Sequence, residues 1–175
     1  GDVEVESGSY GIGIVSKIKV LKWHRLDLGR SFIGAPLLIP NTETGKAKAI
    51  YIKDEPRVAL AAQLENGWTV INTHLSFVPG VNIFQLNRLS SYLKKLPGVA
   101  LLTGDLNLPG NLPSKLSGFR SLISQSTYPS WRPKIQFDYI MLRKKELKTI
   151  SGIKPIKSTT TGISDHIPIG VEIQI

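Results

Sequence analysis

The sequence predicts a mixed α/β (α+β) domain in which strands dominate and one helix lies between two consecutive strands. Three features predict it: two apolar runs joined around Asn66-Gly67, an apolar stripe at helical spacing, and a short apolar run directly after that stripe. At 175 residues, 41% of them hydrophobic, the chain is long enough to bury a core as one domain. No apolar run reaches membrane-spanning length.

The net charge favours a polyanionic partner. The formal net charge is +9 at pH 7 and the isoelectric point is about 9.8, which suits nucleic acid or acidic lipid headgroups. The absence of cysteine excludes disulfides and thiolate metal sites but assigns no compartment. We expect no transmembrane segment, and nothing in the sequence indicates an obligate protein partner.

The first third of the sequence gives the weaker predictions. Residues 9–16 alternate glycine with apolar residues and predict a strand, whereas residues 20–27 mix aromatic and basic residues without a clear period. A strand that contains a proline is expected within 31–40. Another is expected over 48–52, with a turn at 41–45 between the two.

A β-hairpin is the clearest local prediction. Residues 57–64 and 68–75 form two apolar-rich runs around Asn66-Gly67, a pair of residues typical of type I′ turns. Both faces of the first run are apolar, which indicates a sheet that is covered on both sides.

One amphipathic helix is predicted over residues 81–96. Five apolar residues recur at steps of three and four and form a single stripe: Ile83, Leu86, Leu89, Leu93 and Leu96. Pro97-Gly98 ends this helix. The apolar run that follows, residues 99–103, predicts a buried strand with Gly104 after it.

Polar residues at the ends of the apolar runs are the first candidate functional groups. Asp105 and Asn107 stand two positions apart, so in an extended segment their side chains face the same way. As favoured turn residues they suit a structural role equally well. His74 ends the apolar run 70–73 and suits either a hydrogen-bonded core histidine or a proton donor that contacts phosphate oxygens.

Two later strands also carry charged residues. Asp138 lies inside the predicted strand 135–142, where a carboxylate is unfavourable unless it has a specific partner. A histidine whose ring it orients is the natural partner. Asp165 and His166 stand at the entrance to the last predicted strand, where adjacent side chains point to opposite sides. An ordinary junction between loop and strand is the alternative for this pair.

Together these residues predict a site for a hard divalent cation. Two of the three histidines, three carboxylates and an asparagine lie at or near strand ends. Asp and Asn oxygens suit Mg²⁺ or Mn²⁺, which keep water ligands that a substrate phosphate can replace. Zinc is disfavoured because the chain has no cysteine and no close histidine pair. The third histidine, His24, is expected at the surface or in a loop.

Four motifs occur in an order and approximate spacing that match a known family. They are Asn72-Thr73-His74-Leu75, Gly104-Asp105-Leu106-Asn107, Phe137-Asp138-Tyr139-Ile140 and Ser164-Asp165-His166. From about Tyr10 to Ile175 the chain resembles the endonuclease/exonuclease/phosphatase superfamily, the deoxyribonuclease-I-like group. The resemblance implies a four-layered sandwich of two mixed β-sheets flanked by helices. It also implies hydrolysis of a phosphodiester or phosphomonoester with Mg²⁺ or Mn²⁺ as cofactor.

The resemblance assigns the water and the metal to three of the matching residues. Asp105 would orient or activate the attacking water, and Asn107 would hold that water and the phosphate. Asp165 would be a metal ligand. The cation would polarise the phosphoryl group and stabilise the developing charge on oxygen.

The two histidines and one carboxylate receive the proton-transfer roles. His166, oriented by Asp138, and His74 would contact the phosphoryl oxygens and assist proton transfer. The substrate class stays open between nucleic acid, phospholipid or inositol headgroups, and small phosphodiesters.

One part of the family pattern has no match. Members begin with a strand that bears an Asn and a Gln-Glu-type motif whose Glu is the principal metal ligand, and nothing before Tyr10 matches either. The 175 residues are therefore expected to be the C-terminal part of a larger domain and to bind metal weakly by themselves. The alternative function is a non-catalytic module that binds polyanions with this fold but without a complete metal site.

Overall fold

A six-stranded mixed sheet lies at the centre of the computed structural model, which describes residues 11–40 and 47–175. In chain order the strands are β1 (Val20–Gly29), β2 (Ala35–Pro40), β3 (Ala47–Ile52), β4 (Arg57–Leu64), β5 (Trp68–His74), β6 (Val99–Asp105), β7 (Phe119–Ser121), β8 (Asp138–Arg143), β9 (Gly152–Ile156) and β10 (Gly170–Gln174). The helices are α1 (Val81–Leu93), α2 (Leu112–Leu116) and a 3₁₀ helix at Lys144–Thr149. The central sheet has the order β1-β4-β5-β6-β8-β7, and its neighbours are antiparallel except for the parallel pair β5–β6.

The two faces of the central sheet bury different apolar clusters. Helix α1 covers one face with its leucine stripe, and the two-stranded sheet of β9 and β10 lies on the other. There Val171 and Ile173 of β10 pack on a cluster that contains the fully buried Leu142 of β8. A mixed sheet with few helices confirms the predicted fold class. Helix α1, the six-stranded sheet and the β9–β10 sheet form layers within the described residues, and β2 and β3 pair antiparallel in a further two-stranded sheet.

Strands β4 and β5 confirm the predicted hairpin, but its turn is not type I′. Residues 65–67 form a three-residue loop in which the Gly67 amide donates to Leu64 O at 3.1 Å. Gly67 has φ 84°, whereas the φ of Asn66 is not positive. A type I′ turn needs positive φ at both central positions, which excludes that type here. The turn is a three-residue loop whose last residue, Gly67, has a left-handed backbone conformation.

Helix α1 confirms the predicted helix and ends at Leu93. The chain then tightens into a turn in which the Leu96 amide donates to Leu93 O. Leu86, Leu89 and Leu93 are fully buried, and Leu96 still faces the core at 9% exposure although it lies beyond the helix. Among the described residues no helix is long and apolar enough to cross a membrane.

The last two predicted strands begin later than the sequence indicated. Strand β8 begins at Asp138 because Ile135, the expected first residue, instead forms an isolated bridge with Tyr128. Strand β10 begins at Gly170, so His166 lies in the preceding loop and does not open the strand. Asp138 belongs to a strand, but the prediction that it lies in the middle of that strand is wrong, because it is the first residue of β8.

The first third of the chain differs most from prediction. Residues 20–27, whose sequence shows no clear hydrophobic period, lie within the edge strand β1. Many residues of this strand are exposed, so they need not alternate between apolar and polar types. Strand β2 occupies the second half of the predicted segment 31–40, and β3 confirms the strand at 48–52. The predicted strand at 9–16 forms no strand over 11–16, its described part. The turn expected at 41–45 lies outside the described residues.

Candidate active site

The candidate residues meet where three neighbouring strands begin or end. Strands β5 and β6 run parallel, so their C-terminal ends coincide and His74 pairs in register with Asp105. Strand β8 runs antiparallel to β6, which places its first residue, Asp138, opposite Asp105. Three chemistry-bearing residues from distant parts of the sequence therefore lie side by side at one edge of the sheet.

His74 and Asp105 form one half of the site. Their Nε2 and Oδ2 atoms are 3.4 Å apart, and the two side chains are 30% and 15% exposed. Burial, with the positive charge of Arg57 acting in the same direction, lowers the pKa of His74 to about 4. Burial and the charge of Asp138 raise the pKa of Asp105 to about 6. At neutral pH the pair is therefore a neutral imidazole beside a carboxylate that burial has made more basic.

Asp138 and His166 form the other half. The Nδ1 atom of His166 lies 2.6 Å from Oδ2 of Asp138, and the N–H donates to the carboxylate. This hydrogen bond raises the pKa of His166 above 6.5, against an opposing effect of burial. The structure thus brings together the histidine and the carboxylate that were predicted to be partners.

A braced loop holds His166 in place. The Ser130 amide donates to Asp165 O at 2.7 Å, and its hydroxyl donates to Ser164 O at 2.7 Å. The Ile167 amide donates to Thr127 O at 2.9 Å. Backbone contacts therefore fix the chain on both sides of His166.

Asn107 adopts a turn, so it does not share a strand face with Asp105. Its φ is 49°, and its backbone amide donates to Asp105 Oδ1 at 2.8 Å. Its side-chain amide donates to Leu75 O at 2.9 Å, while Asn82 on α1 donates to Asn107 O at 2.9 Å. The expectation of two same-facing side chains is wrong because β6 ends at Asp105. Asp105 and Asn107 therefore do have the structural turn role that the sequence left open.

Gly104 sets how closely β5 and β6 approach just before the site. A Cβ atom at this position would lie 1.9 Å from Thr73 O, and the residue has φ 127°, a conformation that favours glycine. Only glycine permits this contact without displacing the backbone next to His74.

Two carboxylates and one imidazole make the candidate metal set. Ligand atoms of Asp105, Asp138 and His166 all lie within 4.8 Å of one another. Carboxylate oxygens suit Mg²⁺ or Mn²⁺, and each carboxylate already accepts one hydrogen bond, Asp138 from His166 and Asp105 from the Asn107 amide. Asp165, the residue predicted to bind metal, is exposed, and the structure does not bring its carboxylate into this group.

Arg57 is a charged residue of the site that the sequence analysis missed. It opens β4, is 7% exposed, and its charge acts on both His74 and Asp105. Its Nε lies 3.9 Å from Asp54 Oδ1, and neither atom has a hydrogen-bond partner among the described residues. The sequence held a signal, because the arginine at the start of the run 57–64 is its only charged residue. His24, expected at the surface or in a loop, lies on β1 with Nδ1 3.4 Å from the Tyr92 hydroxyl.

The six-stranded sheet and the elements around it give the chain a deoxyribonuclease-I-like fold, which it shares with the solved structures described next. The structure is similar to a mannosyl-6-phosphatase of Bacteroides thetaiotaomicron, with TM-score 0.60, 12% identity, and coverage of 91% of this chain and 68% of that one. It is similar to a humanized Danio rerio TDP2, with TM-score 0.53, 17% identity, and coverage of 89% and 68%.

A third similar structure is an AP endonuclease from Archaeoglobus fulgidus, with TM-score 0.50, 17% identity, and coverage of 67% of this chain and 65% of that one. The chain thus spans about two thirds of the length of these proteins. No family model and no curated protein sequence matches it.

Proposed function

We propose that this chain is a divalent-metal-dependent phosphoesterase domain of nuclease-like type that hydrolyses phosphodiester or phosphomonoester bonds. The observation that carries the proposal is the meeting of two histidine–carboxylate pairs, His74–Asp105 and Asp138–His166, at one edge of the sheet. The similar structures support it, because their names include a phosphatase and an endonuclease.

The two pairs suit opposite ends of a hydrolysis reaction. The carboxylate of Asp105, made more basic by burial, suits a group that orients the attacking water and draws its proton. The hydrogen bond to Asp138 raises the pKa of His166, which favours its protonated form, and with Nδ1 engaged the Nε2–H of that form can donate to a phosphoryl oxygen or to the leaving oxygen. His74, neutral at pH 7, would contribute a hydrogen bond to the phosphoryl group. Asn107 would hold the attacking water and the phosphate, although its side-chain nitrogen already donates to Leu75 O.

A cation at this site would be held by Asp105 and Asp138, with Asp165 as the further ligand that the family resemblance assigns. The donors fit Mg²⁺ or Mn²⁺, because two carboxylates lie close together in a partly buried setting. When bound, the cation would polarise the phosphoryl group and stabilise charge on its oxygens.

The test is hydrolysis of bis-p-nitrophenyl phosphate and of p-nitrophenyl phosphate by the purified chain, in millimolar Mg²⁺, in Mn²⁺ and in EDTA. We expect turnover that needs the metal and is lost in the double variant Asp105→Ala, His166→Ala. His24→Ala is the matched control, because it removes a histidine outside the site. If metal gives no turnover above that of the double variant, the proposal fails and the alternative of a polyanion-binding module is favoured.

A further inference from the structure

A closed loop presents an exposed tryptophan beside the candidate site. We call residues 128–135 the Trp131 loop. Its base is the bridge between Tyr128 and Ile135, with the Lys134 amide also donating to Tyr128 O at 2.9 Å. Its tip is a turn in which the Arg132 amide donates to Pro129 O at 3.1 Å. The indole therefore stands on a fixed turn.

The Trp131 loop lies directly against the segment that carries His166. Ser130, the residue before the tryptophan, bonds the backbone of Asp165 at 2.7 Å. The ring of Tyr128 lies 5.0 Å, centre to centre, from the ring of His166. A substrate whose phosphate contacts His166 would therefore extend past this loop.

The chemistry of the loop is aromatic and basic. Trp131 is 50% exposed, and its neighbours Arg132 and Lys134 are exposed as well. Between Asp105 and Asp138 the sequence contains no acidic residue and four basic ones: Lys115, Arg120, Arg132 and Lys134. Aromatic faces between cations on a backbone-tracking surface are typical of single-stranded nucleic acid binding.

A groove lined by both polar and apolar groups borders the same loop. It has a volume of about 450 Å³, and its lining includes Ser124, Gln125, Ser126, Lys134, Ile135 and Gln136. Its walls are tied together because the Tyr139 hydroxyl lies 2.9 Å from both Gly110 O and Gln136 O. Hydroxyl and amide groups with a single lysine suit a sugar–phosphate chain better than acyl chains.

We propose that the Trp131 loop binds a single-stranded nucleic acid segment next to the scissile phosphate. Trp131 stacks on a base, Arg132 and Lys134 contact the neighbouring phosphates, and the groove accommodates the sugar–phosphate chain. This inference rests on the proposed phosphoesterase function and names its substrate class.

The experiment measures binding in EDTA, so that hydrolysis does not interfere. The full chain is titrated into a fluorescein-labelled deoxythymidine oligonucleotide and into an abasic oligomer of the same length, and anisotropy is followed. We expect the oligonucleotide to bind more tightly than the abasic oligomer. Trp131→Ala should lose that preference, with an affinity about fivefold or more weaker, because one base stack is removed.

Two controls separate this result from general charge and from unfolding. Trp23 is also 50% exposed but lies on β1, three strands from β6, so Trp23→Ala should leave both affinities unchanged. Arg132→Ala with Lys134→Ala should weaken both probes and flatten the salt dependence, whereas Lys145→Ala on the 3₁₀ helix should do neither. Circular dichroism confirms the fold of each variant.

Equal binding of the two probes by the unaltered chain would overturn the proposal, as would an unchanged affinity in Trp131→Ala. Loss of binding to anionic phospholipid vesicles in that variant, without loss of oligonucleotide binding, would also overturn it and assign the loop to membranes. Trp23→Ala, outside the loop and the site, should hydrolyse bis-p-nitrophenyl phosphate at the rate of the unaltered chain. Absence of that activity in the unaltered chain instead counts against the phosphoesterase proposal.

Discussion

The site contains two histidine–carboxylate pairs of identical chemistry that behave in opposite ways. In His166 and Asp138 the contact is 2.6 Å, and the hydrogen bond raises the pKa of the histidine. In His74 and Asp105 the contact is 3.4 Å, and burial lowers the pKa of the histidine instead. The nearby Arg57 acts in the same direction as burial on His74. Contact distance, desolvation and a third charge therefore decide whether the pKa of the histidine rises or falls.

Asp138→Asn should cause the largest change, because it removes the charge that raises the pKa of His166. We expect phosphoesterase activity to fall by about 10²–10⁴-fold, the usual size of a general acid–base contribution. The pKa of His166 should fall towards 6.5, as measured by NMR titration, with the fold retained.

Double-variant kinetics give the matching control for Asp138. Asp138→Asn combined with His166→Gln should be little worse than His166→Gln alone, because both changes disable one unit. Additive losses, or unfolding of Asp138→Asn, would show that Asp138 acts elsewhere.

Asp105→Asn should stabilise the metal-free protein above pH 6. The pKa of Asp105 is raised from 3.8 in the unfolded chain to about 6 in the fold, so the folded state favours the protonated acid. The ionised carboxylate therefore begins to cost stability above 3.8, and the cost is complete above about 6, where it amounts to about 3 kcal/mol.

Urea unfolding at pH 8 and at pH 5 measures this effect. The gain from Asp105→Asn should be largest at pH 8 and should shrink as the pH falls towards 4. An equal gain at both pH values would contradict the assignment of the raised pKa to Asp105.

A divalent metal ion should offset the loss of stability that the ionised Asp105 carboxylate causes. At pH 8, Mg²⁺ or Mn²⁺ should raise the melting temperature of the unaltered chain by a few degrees, because a cation relieves the ionised carboxylate and binds only the folded state. Asp105→Asn should show a smaller shift in a thermal melt. Equal shifts in both proteins would place the cation away from Asp105.

Arg57→Met should cause the smallest change. It should alter the pKa values of the His74–Asp105 pair and leave the Asp138–His166 pair as it is. Without the guanidinium, the pKa of His74 should rise from about 4 towards 6.5, because one of the two main causes of its depression is gone. Arg57→Lys, which keeps the charge, should leave it low. NMR titration of the His74 ring distinguishes the two, and equal values would exclude Arg57 as a cause.

The sequence predicted those parts of the site that depend on local patterns. His74 and Asp105 follow apolar runs that end where β5 and β6 end, and the partnership of Asp138 with a histidine followed from the cost of a carboxylate in an apolar run. The hairpin and α1 followed from their turn residues and periodicity. These features are encoded within about twenty consecutive residues each.

Features that depend on distant contacts were not predictable. The register of β5 on β6 sets the His74–Asp105 distance, and no local pattern encodes it. The edge strand β1 lacks alternation because one side of it is exposed. Strand β8 starts late because Ile135 bonds to Tyr128 across a loop. The charge of Arg57 matters only because folding buries it near His74.

Gly104 and Asp105 are neighbours with opposite expected effects on the stability of the metal-free fold. Gly104 is required by packing, since a Cβ would lie 1.9 Å from Thr73 O, whereas the ionised Asp105 weakens the metal-free fold. A combinatorial library screened for thermal resistance alone would retain glycine at position 104 and discard aspartate at position 105. Screened for catalysis, it would retain both. Sequencing the variants retained in each screen would show which residues at the end of β6 are required for folding and which are required for activity.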